Sequence, residues 1–160
     1  MKDYFKYVPK ILKDNLIPYL FFTENQIVEN ETLCVEFEKN KFHIDINTKF
    51  FGSQTEDMKE KLILHELFHI FRQDLLIEKT YDYELMNIAT DSIINYQLDI
   101  LDKDFWHYNE FKEKYPELPE KPITWLDIYN ILKKENNLDK KINLIFRPIT
   151  NEEQKNEAKK

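Results

Sequence analysis

A chain of 160 residues with 42% hydrophobic content, 12 Phe and 9 Tyr has enough apolar surface for one packed domain, which excludes a disordered polymer. Its single glycine, Gly52, excludes Gly-rich phosphate loops and all-β folds that need many tight turns; abundant Leu, Glu, Lys and Ile favour a mainly helical protein instead. The net charge of −7 is spread over interspersed acids and bases, so no basic stripe is available for nucleic acid and none is expected as a partner.

Residues Tyr4 to Phe22 carry apolar side chains at mixed helical spacing, interrupted by Pro9 and Pro18, and predict one or two short helices. Leu33 to Glu38 and Phe42 to Ile46 alternate apolar with polar residues, and Lys39-Asn40-Lys41 between them suits a hairpin turn. Asn47 to Thr55 reads as a loop. From Glu56 to about Glu78 a long helix is expected, capped by Ser53 or Thr55 and acidic in its first turn. Its apolar residues cover most of the circumference, the pattern of a buried helix. A second helix is expected over Tyr83 to Leu101, then a loop punctuated by Pro116, Pro119 and Pro122, then an amphipathic helix from Thr124 to Lys134. The expected organisation is one domain over residues 1–150 and a polar flexible tail over 151–160. Cys34 has no partner for an intramolecular disulfide, the N-terminus lacks a signal-peptide pattern, and no apolar run reaches the roughly 20 residues of a membrane span. These features predict a cytoplasmic protein without membrane association.

The chemistry is concentrated in His65-Glu66-Leu67-Phe68-His69. Histidines four residues apart on a helix project from one face, one turn apart, and can bind a single Zn²⁺. Glu66 beside them can act as general base toward a water that the metal has acidified. Satisfied core histidines are the plainer alternative. Against it, two imidazoles and a carboxylate in the most apolar helix are expensive to bury without partners, and a metal would satisfy all three at once.

Catalytic zinc usually takes three protein ligands. Asn87, Asp91 and Asn95 recur every fourth position on the next helix, and Asp91 can supply the third if that stripe faces the histidines. Asn95 could then accept a hydrogen bond from the far nitrogen of a ligating histidine. A solvated polar face would show the same stripe. His107, between Trp106 and Tyr108, could approach the metal or an oxyanion but is more simply a packed or surface histidine. His43 is expected to face away from the core, Cys34 to be an ordinary strand residue, and Trp125 to be a packing residue. Tyr81, Tyr83 and Tyr96 are weaker oxyanion donors to choose among.

These motifs resemble a known family. Glutamate-ligand zincin peptidases place Asn-x-x-x-Glu on the helix after His-Glu-x-x-His, where this chain has Asn87-x-x-x-Asp91. A closer resemblance is to the metallopeptidase domain often found ahead of a von Willebrand A-like domain in bacterial and phage proteins. It rests on Ile44-Asp45-Ile46-Asn47 to Phe51, His65 to His69, Met86 to Asp91 with Asn95, and Ile123 to Leu132, covering roughly residues 30 to 133. The chain departs from it at Asp74, where family members often carry a histidine. The resemblance implies an α+β, mostly helical, zincin-like fold with a small antiparallel sheet beside the metal-bearing helix. It also implies an edge strand, here Phe42 to Ile46, that holds an extended peptide or protein substrate by adding it to the sheet. The implied function is zinc-dependent peptide-bond hydrolysis, with His65, His69 and Asp91 as ligands and Glu66 as base. A non-catalytic zinc-binding regulatory or interaction module on the same scaffold is the alternative.

Overall fold

A computed structural model describes residues 3–16, 18–25, 32–77 and 80–138; the polar tail expected over 151–160 lies outside them. The fold is α+β and mostly helical, in the order α1 (Lys10–Leu16), β1 (Leu20–Asn25), β2 (Leu33–Glu38), β3 (Lys41–Asn47), α2 (Thr48–Ser53), α3 (Glu56–Phe71), α4 (Tyr83–Gln97), α5 (Tyr108–Lys114) and α6 (Trp125–Leu138). Short 3-10 turns occupy Tyr4–Tyr7 and Asp74–Leu76. The chain divides into two compact units, Met1–Leu75 with a terminal stretch outside the described residues, and Leu76–Pro148.

In the first unit, β2 and β3 form the expected hairpin. Lys39 and Asn40 have φ of 51° and 61°, the left-handed pair that a two-residue hairpin turn needs, and Glu38 pairs with Lys41 across it. Asparagine tolerates this region, whereas lysine there costs about 1–2 kcal/mol. The sheet is three-stranded in the order β1-β3-β2, and it is mixed rather than antiparallel because β1 runs parallel to β3. Leu20 to Phe22, at the end of the stretch read as one or two short helices, belong to that third strand. A parallel partner is not joined by a hairpin, so no local turn signal marks the pairing.

The alternation read from the sequence places Ile44 and Ile46 on the buried face of β3, both at 0% exposure. Asn47 ends β3 and begins α2: its side-chain oxygen accepts from the N–H groups of Lys49 and Phe50. That cap turns a segment expected to be a loop into a short helix. Aromatic contacts of Tyr4 and Tyr7 with Phe51 tie the N-terminal turn to α2.

Helix α3 starts where Thr55 Oγ1 accepts from Met58 N–H, with Glu56 and Asp57 complementing the helix dipole. It packs on β2 and on the N-terminal turn, burying Leu62, Ile63 and Leu67. It ends at Phe71, earlier than expected, because Gln73 adopts φ 60° and its N–H turns back to the Ile70 carbonyl.

In the second unit α4 packs against α5 and α6 around Met86, Ala89, Ile93, Tyr108, Ile128 and Tyr129. Asp82 caps α4 through Leu85 N–H. The helix stops at Gln97 because Asp99 takes φ 54° and the Ile100 N–H returns to the Asn95 carbonyl, which seats Ile100 in the interior. The proline loop after α5 is pinned by Tyr108 OH donating to Pro119 O and by Lys112 Nζ donating to the Pro116 and Leu118 carbonyls. Helix α5 was not expected from periodicity, since its seven residues give barely two turns of pattern. Among the described residues no helix is long and apolar enough to cross a membrane.

Ile63, fully buried in α3, tests where the first unit's stability resides. Ile63→Ala is expected to cost about 2–5 kcal/mol in urea denaturation, whereas Ile11→Ala on exposed α1 should change stability by under about 0.5 kcal/mol. Similar losses at both positions would contradict the assigned core.

Candidate metal centre

Three of the residues singled out by spacing come from one stretch of α3. His65, Glu66 and His69 are 8%, 6% and 8% exposed, in a helix whose other buried residues are Leu62, Ile63 and Leu67. The i,i+4 spacing brings the two imidazoles together, with ring centroids 4.8 Å apart and Nε2 to Nε2 at 3.1 Å. Two nitrogens that share one tetrahedral zinc at ordinary bond lengths are about 3.3 Å apart, so the histidine pair fits a common ion with little adjustment. Without an ion, the same distance fits a proton shared between the nitrogens, which is the protein's own way to satisfy the pair.

The other nitrogen of His69 is occupied. His69 Nδ1 lies 2.9 Å from Asp74 Oδ2, and Asp74 is itself 6% exposed. A carboxylate only accepts, so Nδ1 carries the proton and Nε2 presents its lone pair toward His65. Arg72 Nε lies 3.5 Å from the same Oδ2, close enough for ion pairing but not aligned as a hydrogen bond. The donor set thus fits a divalent metal: one imidazole has its lone pair directed by a neighbouring carboxylate, and a second imidazole stands beside it.

Asp91 and Asn95 lie on α4 in the second unit. Asp91 is half-buried and Asn95 buried, while Asn87 at the start of the same stripe is exposed. Asn95 Nδ2 donates to the Trp106 carbonyl at 2.7 Å. The part imagined for Asn95, holding the far nitrogen of a ligating histidine, is taken for His69 by Asp74. The signal for Asp74 was present in the sequence as an acid five residues beyond His69. What hid its role was the reversal at Gln73, which no helical periodicity predicts.

His107 is a packed histidine that caps α5. Its Nδ1 accepts from Asn109 N–H at 3.2 Å, its ring lies 5.7 Å from that of Tyr96, and its Nε2 is buried with no hydrogen-bond partner among the described residues. Burial pushes its pKa below the ordinary histidine value, with the Asp99 carboxylate opposing in part. His43 stacks on Phe21 on the sheet face opposite Ile44, and Cys34 is half-buried on β2. Tyr81 packs edge-on against Trp125 and Tyr129, so both Tyr81 and Trp125 are packing residues. Tyr83 is 70% exposed, and Tyr96 packs on Tyr108.

Compared with known proteins, the chain matches no family model, no curated protein and no solved structure.

The neutral burial of His107 has a pH signature. Its folded pKa is depressed, so its stabilising contribution is complete above the unfolded value of about 6.5 and is lost as pH falls through the folded value. His107→Asn retains a capping acceptor but no titrating ring. Between pH about 7.5 and about 5.5 the variant should lose less unfolding free energy than wild type in urea titrations. Equal losses would mean that His107 does not titrate on unfolding.

Proposed function

We propose that the protein is a zinc-dependent metallopeptidase of zincin type, with His65, His69 and Asp91 as ligands and Glu66 as general base. The observation that carries this reading is the buried pair of imidazoles on α3, their Nε2 atoms 3.1 Å apart and one ring oriented by Asp74. Each of the three ligands offers one atom, an imidazole nitrogen or a carboxylate oxygen, leaving the fourth position of a tetrahedral ion for water or substrate. Asp91 enters on chemistry and sequence order, as the carboxylate on the helix that follows the histidines.

When bound, zinc would supply Lewis acidity, polarising a peptide carbonyl and acidifying water. The chain's own residues do the remainder. His65 and His69 bind as neutral imidazoles, and Asp74 holds the proton of the second at Nδ1. A carboxylate oxygen of Glu66 takes the proton of the attacking water and delivers it to the leaving amine nitrogen. Burial of Glu66 at 6% exposure keeps that carboxylate in poorly solvated surroundings, where proton transfer is better coupled to the reaction than in bulk water. The strand expected to hold an extended substrate, Phe42 to Ile46 in β3, is the central one, paired with β1 on one side and β2 on the other, so its backbone has no free edge for a peptide to join. A cytosolic setting is consistent with a sequence whose one cysteine can form no intramolecular disulfide.

Metal analysis of the purified chain is expected to give about one zinc per molecule, lost in His69→Ala. On unstructured peptides, Glu66→Gln should retain the metal while cleavage falls about a hundred- to ten-thousand-fold. Cleavage by Glu66→Gln at the wild-type rate would remove the mechanism. Stoichiometric zinc with no chelator-sensitive cleavage would assign the non-catalytic, regulatory reading.

A further inference from the structure

Asp74 stands where several physical effects oppose it. The residue follows the C-terminus of α3, where exposed carbonyls create negative potential and a carboxylate is disfavoured. It is 6% exposed, so it has also lost most of its water. The turn that delivers it requires Gln73 at φ 60°, a conformation that a side chain with a Cβ adopts at a cost. A carboxylate placed for stability alone would not be put there.

Its two neighbours indicate what it does. Oδ2 accepts from His69 Nδ1–H at 2.9 Å, and Arg72 Nε at 3.5 Å balances its charge. In a neutral imidazole the nitrogen opposite a protonated Nδ1 is a lone-pair donor. Here that atom is His69 Nε2, the one directed at His65. Arg72 and the left-handed turn therefore serve to place one negative charge against the far side of one histidine ring.

We propose that Asp74 is the positioning residue of this centre: it fixes His69 as the Nδ1–H tautomer, orients its ring, and strengthens Nε2 as a ligand. The inference rests on the metal reading given above and adds to it a residue outside the His-Glu-x-x-His segment. Asp74 touches neither metal nor substrate and acts only through His69.

The test uses the full chain in three forms: wild type, Asp74→Ala, and Asp74→Asn. Asp74→Asn keeps an acceptor without the charge and serves if the alanine variant fails to fold. Two readouts are taken. Long-range ¹⁵N–¹H correlations in metal-free protein report the tautomer of His69, and competition with a chelating dye reports zinc affinity. Wild type should show His69 protonated at Nδ1, and folded Asp74→Ala should lose that preference. Zinc should bind about 10–100-fold more weakly in Asp74→Ala, with Asp74→Asn between the two. A purely structural role would lower thermal stability without changing the tautomer or the affinity of the folded fraction. Wild-type His69 protonated at Nε2, or folded variants that bind zinc as tightly as wild type, would overturn the inference and leave the metal reading intact. A wild-type chain that takes up no zinc would overturn both.

Discussion

Helix α3 must carry two imidazoles and a carboxylate into an interior built otherwise from leucine and isoleucine. A buried polar group without a partner costs about 1–3 kcal/mol, and three of them on two turns of helix would consume much of a small protein's net stability. Much of the architecture around that helix answers this constraint. His65 and His69 satisfy each other at Nε2, and His69 is satisfied at its other nitrogen by Asp74. Arg72 faces the resulting charge. Each partner is itself buried or half-buried, so the polar cluster is shielded rather than dissolved in solvent.

The shielding gives the cluster chemical use. In water an imidazole exchanges freely between tautomers and orientations. Between apolar helix neighbours and a fixed carboxylate it has one of each, so a metal ion would meet ligands already arranged. The surrounding elements supply the rigidity: the sheet with its buried Ile44 and Ile46 face, and the aromatic contacts of the N-terminal turn on Phe51. The site's precision follows from the helix, because i,i+4 geometry is among the least variable distances a chain can produce.

Helix ends govern much of the remaining structure. Gln73, Asp99 and the pair Lys39 and Asn40 all take left-handed backbone in a chain that has one glycine; the first two stop their helices earlier than the apolar pattern would, and the pair closes the hairpin. The turn at Gln73 delivers Asp74 beneath His69, and that at Asp99 seats Ile100 in the second unit. At Asp99 the local strain is offset by burial of Ile100 just beyond the turn.

Much was legible before any coordinates. The mainly helical character followed from composition, the β2–β3 hairpin from alternation and a short polar link, and the pairing of His65 with His69 from spacing alone. These share a cause: each depends on residues within a few positions of one another, where backbone geometry converts sequence separation directly into distance. Only the tertiary structure decided that β1 joins the sheet in parallel, that His107 is a helix cap, and that Asp74 rather than Asn95 holds the second nitrogen of His69. Those outcomes depend on left-handed turns and on long-range pairing, and neither leaves a periodic trace in the order of the amino acids.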